Sequence, residues 1–255
     1  MGCGKIPMIK IKSIPTDVRI TVSPEPMYLP HSLHESINLY WESLKASGKT
    51  FHRGTIFSIK EMIEARDKLH ITLQKTDYAH FLYSKYNKLP TEYECRVIVS
   101  NGLILTKDNY IVLGEMNSRT ASPGRLQFIA GGIDESDINQ QSVNMFKSLI
   151  RETKEEIGVD LTNFNLVEKV KPRYIVHWGS VALVYLIQLA IDRLELQSRY
   201  KQFEIALKKA GVEPEFSSII LLSADCESIS NFLKYDNRHR LDFLSDVLKK
   251  ELNMG

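Results

Sequence analysis

Cysteine is scarce in this chain, and its cysteines form no recognisable pattern. Cys3, Cys95 and Cys226 are the only three among 255 residues. An odd number of widely spaced cysteines fits neither a disulfide framework nor a zinc-binding pattern. The sequence therefore favours a reducing compartment, and we expect a cytoplasmic protein.

Long apolar runs and a large net charge are also missing. The longest apolar run, Val181–Ile191, contains Gln188 and is too short to span a membrane, so it predicts a buried strand. Met1–Lys5 begins like a myristoylation site, but Ile6 stands where Ser or Thr is needed. The net charge of +2 is too small to attract nucleic acid in general. We expect neither a membrane nor a nucleic-acid partner.

The composition that remains is that of a globular protein, with 43% hydrophobic and 25% charged residues. Strand and helix patterns are intermixed, which predicts an α+β fold with a mixed sheet. Pro90 suggests a boundary between a smaller α+β N-terminal region, residues 1–92, and a main domain, residues 93–255. The sequence leaves the oligomeric state open and is compatible with a homodimer.

The most informative segment is Arg151–Val159, which has three carboxylates within five residues. Glu152, Glu155 and Glu156 are spaced i, i+3, i+4 and crowd one side of a predicted helix. Like charges this close repel, and a hard divalent cation such as Mg²⁺ would relieve that repulsion. The alternative is an ordinary solvated helix face rich in Lys and Glu.

An apolar stripe supports the helix itself. Gly158 suits the left-handed residue after its last turn, and Ser142 or Asp137 is a candidate N-cap. The stripe is expected to be buried and separated from the charged face. Its members are Phe146, Leu149, Ile150, Thr153 and Ile157.

Glycines upstream of the helix strengthen the interpretation. Pro123-Gly124 and Gly131-Gly132 flank a predicted strand, and a diglycine at a strand end lets the backbone approach a ligand closely. Gly-Gly followed by a helix with Arg-Glu-x-x-Glu-Glu-x-Gly resembles the Nudix box of the Nudix hydrolases, specifically over residues 123–159. The resemblance implies an α/β/α sandwich around a mixed sheet. It also implies a pyrophosphohydrolase that uses Mg²⁺, or alternatively Mn²⁺.

The match departs from the family pattern in several places. Arg151 comes 19 positions after Gly132, where the family usually has fourteen. The glutamate that the family places eight residues before the arginine is Val143 here. We expect an enlarged loop over Ile133–Ser142 whose acidic residues are candidates to replace that glutamate. The candidates are Asp134, Glu135 and Asp137. Thr153 and Ala130 also replace the usual aliphatic residue and proline.

The resemblance assigns roles to individual residues. Glu152, Glu155, Glu156 and the carbonyl of Gly131 would hold the metal ions, and Arg151 would orient the carboxylates. A later glutamate would take a proton from water. Glu213 and Glu215 are the candidates, because both precede a predicted strand, and Glu215 is preferred.

Basic and aromatic residues are candidates for binding the substrate. Arg119 and Arg125 flank Pro123-Gly124, and a guanidinium suits a phosphate. Arg173 and Tyr174 form a second candidate cluster, together with His177 and Trp178. For each of them, surface charge or core packing is the alternative.

The N-terminal region bears on the substrate. Trp41-Glu42, Phe51, Thr76-Asp77-Tyr78 and Phe81 resemble a segment of Nudix hydrolases that act on UDP-glucose and UDP-galactose. A purely structural layer is the alternative. The resemblance favours hydrolysis of a nucleotide sugar, with ADP-ribose or a dinucleotide as other substrates. A non-catalytic domain that binds a nucleotide is the competing function.

Overall fold

The computed structural model describes residues 8–49 and 51–252, so Cys3 and the Met1–Lys5 segment lie outside it. The strands are β1 (Lys10–Ser13), β2 (Asp17–Val22), β3 (Thr55–Glu64), β4 (Lys68–Asp77), β5 (Ile98–Leu105), β6 (Tyr110–Met116), β7 (Leu126–Gln127), β8 (Ile129–Gly132), β9 (Ile138–Asn139), β10 (Ser142–Val143), β11 (Val167–His177), β12 (Val181–Leu189) and β13 (Phe216–Ser223). The helices are α1 (His31–Ala46), α2 (Tyr78–Tyr86), α3 (Met145–Ile157), α4 (Arg193–Lys209), α5 (Cys226–Tyr235) and α6 (Leu244–Glu251).

The larger sheet has eight strands and is mixed. Its order is β1-β11-β12-β5-β6-β13, with β7 pairing to β6 and β8 pairing to β5. β12 and β5 are parallel, and the other pairs are antiparallel. Side chains alternate between its faces. Ile187 and Leu189 of β12 pack with α3 and α4, whereas Ala182 and Val184 pack with α5 and α6. This arrangement confirms the predicted α/β/α sandwich.

The smaller sheet has five strands in the order β3-β4-β2-β10-β9. Its apolar side chains, such as Ile20, Leu69 and Ile71, share one buried cluster with Leu183 of the larger sheet. α1 and α2 pack together in a separate cluster that includes Ile37 and Leu82.

Strands from both sides of residue 92 meet in each sheet. β1 extends the larger sheet, with Lys10 opposite His177. β9 and β10, which lie in the segment expected to be a loop, extend the smaller sheet, with Ser142 opposite Thr21. Within the described residues, no helix is both long and apolar enough to cross a membrane.

Candidate active site

Helix α3 begins and ends at defined caps. The side chain of Asn144 accepts hydrogen bonds from the backbone N–H groups of Phe146 and Lys147, both at 3.1 Å. Asn144 is therefore the N-cap, and the expectation of Ser142 or Asp137 is wrong because Ser142 lies in β10 and Asp137 faces Arg151. Gly158 follows the helix with φ of 71°, which confirms the predicted left-handed end.

The buried side of α3 differs from the predicted stripe in one important respect. Leu149, Thr153 and Ile157 are buried as expected, and Phe146 and Ile150 are partly buried against the same core. Glu156, however, is only 2% exposed. A carboxylate therefore lies on the core side of the helix, next to strand β8.

The environment of Glu156 disfavours the ionised form of its carboxyl group. Its Oε2 accepts a hydrogen bond from the backbone N–H of Ala130 at 3.0 Å. Its buried Oε1 has no hydrogen-bond partner anywhere in the described part of the chain. Burial raises the pKa of Glu156 well above its usual value, with further contributions from Glu215 and Glu152. The unpartnered oxygen is thus free to act as a ligand atom.

Glu152 fills the space that a side chain on Gly131 would occupy. A Cβ atom on Gly131 would lie 1.8 Å from Cγ of Glu152. Burial raises the pKa of Glu152 to about 7, because it outweighs the attraction of Arg151, and Glu215 and Glu155 raise it further. Strand β8, which carries the diglycine, and helix α3 are therefore packed directly on each other at the side chain of Glu152.

Arg151 connects these acidic groups. Its Nη1 donates to Glu152 at 2.7 Å and to Glu155 at 3.3 Å. Its Nη2 donates to the carbonyl of Gly132 at 3.1 Å and to Oδ2 of Asp137 at 3.3 Å. One guanidinium thus holds two glutamates of the cluster against the end of strand β8. This is the orienting role that the family resemblance implies for Arg151.

Glu215 is the fourth carboxylate of the site. It directly precedes β13, and the residue keeps an exposed surface. Desolvation of its carboxyl group nevertheless raises the pKa of Glu215, and repulsion from Glu155 adds to the effect. Its charge in turn raises the pKa of Glu152 and that of Glu156. The structure therefore brings Glu215 to the three helix glutamates.

Glu213 and Arg119 lie at the margin of this group. The two side chains pair with each other at 3.4 Å. The side-chain amide of Asn117 also donates to Glu213 at 3.4 Å. The backbone N–H of Asn117 donates to the carbonyl of Glu215 at 2.8 Å. Arg119 is 77% exposed at its side chain, so it is free to reorient toward an anion next to the carboxylates.

Arg125 directly precedes β7, the short strand that comes before β8 and its diglycine. Its Nη2 donates to Oε1 of the buried Gln127 at 2.5 Å. Alternation along β7 and β8 puts Arg125, Gln127 and Ile129 on the α3 side of the sheet, where Ile129 packs. Burial lowers the pKa of Arg125, against the attraction of Asp242 and of Glu215. A positive group therefore lies close to the acidic cluster.

Two buried serines support the diglycine and were missed in the sequence. Ser100 donates from Oγ to the carbonyl of Gly131 at 3.3 Å. Ser148 donates from Oγ to the carbonyl of Gly132 at 2.7 Å. Both serines are fully buried. No local pattern indicates their role, because Ser100 reaches the diglycine through the pairing of β5 with β8.

The structure does not bring Arg173 and Tyr174 to the carboxylates. Nε and Nη2 of Arg173 donate to Glu251 at 3.1 and 2.7 Å, and the Tyr174 hydroxyl donates to it at 2.9 Å. Tyr174 packs with α5 and α6, on the opposite face of the sheet from α3. Trp178 packs on Phe243 on that same face, with ring centroids 4.8 Å apart.

The donor set fits a hard divalent cation in its chemistry. Among the residues that the structure describes, no three His, Cys, Asp or Glu side chains are already arranged as a metal-binding group. The groups at hand are nevertheless all oxygen donors, as Mg²⁺ requires. The orphaned Oε1 of Glu156 and the raised pKa of both Glu152 and Glu156 indicate that Arg151, which pairs with Glu152 and Glu155, does not compensate all of the negative charge of the cluster.

Comparisons with known proteins found similarity in solved structures only. No family model and no curated protein matches the chain. DR0079 from Deinococcus radiodurans aligns at a TM-score of 0.43 and 11% identity, covering 77% of this chain and 98% of its own. A NUDIX hydrolase from Nitrosomonas europaea aligns at 0.36 and 14%, covering 63% and 90%. The NUDIX domain of Shewanella oneidensis NrtR, solved with ADP ribose, aligns at 0.38 and 10%, covering 70% and 99%. Two of these descriptions name the family that the sequence resembles.

Proposed function

We propose that this chain is a divalent-metal-dependent pyrophosphohydrolase. Its substrate is a nucleoside diphosphate derivative, with nucleotide sugars favoured, and its products are a nucleoside monophosphate and a phosphorylated compound. One observation carries the proposal. Four carboxylates, Glu152, Glu155, Glu156 and Glu215, influence one another next to Gly131 of strand β8, where there is no room for a side chain.

The residues of the chain divide the work of this reaction. A bound divalent ion would neutralise the diphosphate and acidify the attacking water. Glu152, Glu155 and Glu156 would hold the metal together with the carbonyl of Gly131, which the Ser100 hydroxyl orients. Glu215 would accept the proton of water, because its exposed surface admits water and its raised pKa moves it toward the working pH.

Arg125 and Arg119 would bind the phosphates. Arg125 is partly desolvated, which strengthens its interaction with an anion. Arg119 lies at the margin of the site, and its exposed ion pair with Glu213 is weak enough to be exchanged for a phosphate. We do not extend this role to Arg173 and Tyr174, since Glu251 already takes their polar groups.

The preference for a nucleotide sugar rests on the N-terminal region. Trp41, Phe51 and Phe81 surround Tyr78, with ring centroids 5.7 to 6.5 Å from its own. Burial raises the pKa of Tyr78, and Tyr86 and Glu215 add smaller effects. The aromatic cluster is therefore within electrostatic reach of Glu215, and we assign the substrate's far end to this side of the site.

The chain's organisation and location enter the proposal as well. We place the catalytic domain in residues 93–255, with residues 1–92 as an N-terminal region packed against it. A reducing cytosol suits Cys95 and Cys226, which are both free thiols.

The test is a substrate screen with a matched pair of variants. The purified protein is incubated with UDP-sugars, ADP-ribose and dinucleotides in Mg²⁺ or Mn²⁺, and the released monophosphate is separated by chromatography. Glu155→Gln should lower kcat at least about a hundredfold, whereas Lys154→Gln, next to it on the exposed face, should leave kcat unchanged. Equal turnover by both variants would remove the catalytic assignment. Tight nucleotide binding without product from the parent protein would favour the binding module instead.

A further inference from the structure

The segment between the diglycine and helix α3 is a folded hairpin rather than an open loop. β9 and β10 pair with Ser142 opposite Asn139 and Val143 opposite Ile138. The two residues between the strands, Gln140 and Gln141, both have positive φ, at 46° and 71°. Such a two-residue turn matches the twist of a tight β-hairpin. We call residues 134–143 the hairpin segment.

The hairpin segment belongs to the smaller sheet, which we call the N-terminal sheet because its other strands, β2, β3 and β4, come from the first 92 residues. Ser142 of β10 lies opposite Thr21 of β2, and the backbone N–H of Val22 donates to the carbonyl of Gln141 at 2.8 Å. At the other end of the segment, Lys75 of β4 donates from Nζ to Glu135 at 2.7 Å. The segment is therefore held by strands that come from the first 92 residues.

Asp137 is the buried acidic residue of this segment. It is 2% exposed, and its Oδ2 accepts hydrogen bonds from the backbone N–H of Asp134 at 2.9 Å and from Arg151 at 3.3 Å. Its buried Oδ1 has no hydrogen-bond partner within residues 8–49 and 51–252. A buried carboxylate with so few partners is costly unless a cation compensates it, and Arg151 is that cation.

The other two acidic residues of the segment, Asp134 and Glu135, are bonded to partners other than Arg151. The Asp134 side chain caps the short turn by accepting from Ser136, and Glu135 is an exposed partner of Lys75. Val143, at the position of the family's glutamate, is buried in the apolar cluster between the two sheets. An acidic side chain there would be buried in the core, so the carboxylate that faces Arg151 has to come from elsewhere.

We propose that Asp137 is a positioning residue, through which the hairpin segment and the N-terminal sheet fix Arg151 and thereby the glutamates that Arg151 holds. The inference rests on the proposed function, but the contacts of Asp137 that support it involve no substrate. It gives residues 1–92 a role in the site, because their sheet anchors the segment that carries Asp137. Asp137 itself touches neither substrate nor metal in this arrangement.

The test combines direct metal binding with kinetics. Mn²⁺ is titrated into the protein and the free ion is measured by electron paramagnetic resonance, without substrate. Asp137→Asn keeps the size of the side chain but removes the charge that pairs with Arg151. We expect Mn²⁺ affinity to fall about tenfold or more, with a lower kcat and little change in KM. Asn139→Gln, a control at an exposed position in the same segment, should match the parent in both measurements.

A double-mutant cycle separates positioning from a general effect on folding. If Asp137 acts through Arg151, Asp137→Asn should weaken Mn²⁺ binding little further once Arg151→Gln is present. Losses that simply add would overturn the inference, as would parental Mn²⁺ affinity in Asp137→Asn. Weakened, non-additive binding in a protein that hydrolyses nothing would support the positioning role while the hydrolase proposal fails.

Discussion

A Cβ atom on Gly131 would lie 1.8 Å from Cγ of Glu152 and 2.5 Å from its Oε1. The glycine is therefore required by close packing and not by its backbone angle, since Gly131 is not among the residues with positive φ. The same contact brings the backbone of β8 to a carboxylate whose pKa burial has raised to about 7.

Gly131→Ala should consequently displace Glu152 and damage both stability and activity. We expect a loss of about 1–3 kcal/mol in the free energy of unfolding, measured in urea, and a fall in kcat. Gly132→Ala is the matched control, because nothing lies within 4 Å of a Cβ atom at that position. Equal losses in the two variants would show that the diglycine is sensitive for a reason other than Glu152.

The features of the site that could be predicted are those determined by residues close together in the sequence. The spacing of Glu152, Glu155 and Glu156, the end of the helix at Gly158 and the diglycine follow from helix geometry and from glycine's small size. The burial of Glu156 could not be predicted in this way. It depends on the backbone N–H of Ala130 on β8, which comes beside the helix only when the sheet has formed.

The same distinction applies to the strands. Alternation predicts two strands over Cys95–Ser100 and Leu103–Thr106, whereas the structure has one, β5. Asn101 and Gly102, which separate the two predicted strands, both pair with β8 and with β12 and are buried in the sheet. The strands β9 and β10 are too short to show a pattern, and only β2 makes them part of a sheet.

The metal-free protein should lose stability as the pH rises. Glu152 and Glu156 have a raised pKa in the folded state, so the folded protein binds their protons more tightly than the unfolded chain does. Their contribution is fully present below the usual pKa near 4.5 and is lost as the pH rises, for Glu152 through about 7. We expect a lower Tm near pH 8 than near pH 5 in EDTA.

Glu156→Gln should remove much of this pH dependence. The substitution keeps an oxygen that can accept from Ala130 and eliminates the buried charge, so Tm near pH 8 should be higher than that of the parent while turnover is lost. Glu168→Gln, at an exposed position on β11, should retain the parental pH dependence. A Glu156→Gln protein that is less stable than the parent at both pH values would contradict the buried anion.

The hairpin turn should be improved by a glycine. Gln141 has φ of 71°, a conformation that costs a residue with a side chain about 1–2 kcal/mol. Gln141→Gly relieves that cost but adds freedom to the unfolded chain, so we expect a net stabilisation of roughly 0.5–1 kcal/mol in thermal unfolding. Asn139→Gly, in the adjoining strand, should instead destabilise. No gain from Gln141→Gly would mean that the turn is not held in this conformation.

Arg173 and Tyr174 should act on stability and not on substrate. Both donate to Glu251 at the end of α6, on the far face of the sheet. Because Arg173 is partly exposed, Arg173→Gln should cost only about 1 kcal/mol, and Tyr174→Phe a similar amount. Neither should change KM for a substrate found in the screen. Lys169→Gln, an exposed position on the same strand, should alter neither quantity. A raised KM for Arg173→Gln at undiminished stability would restore Arg173 as a substrate ligand, and would then require α6 to move away from it.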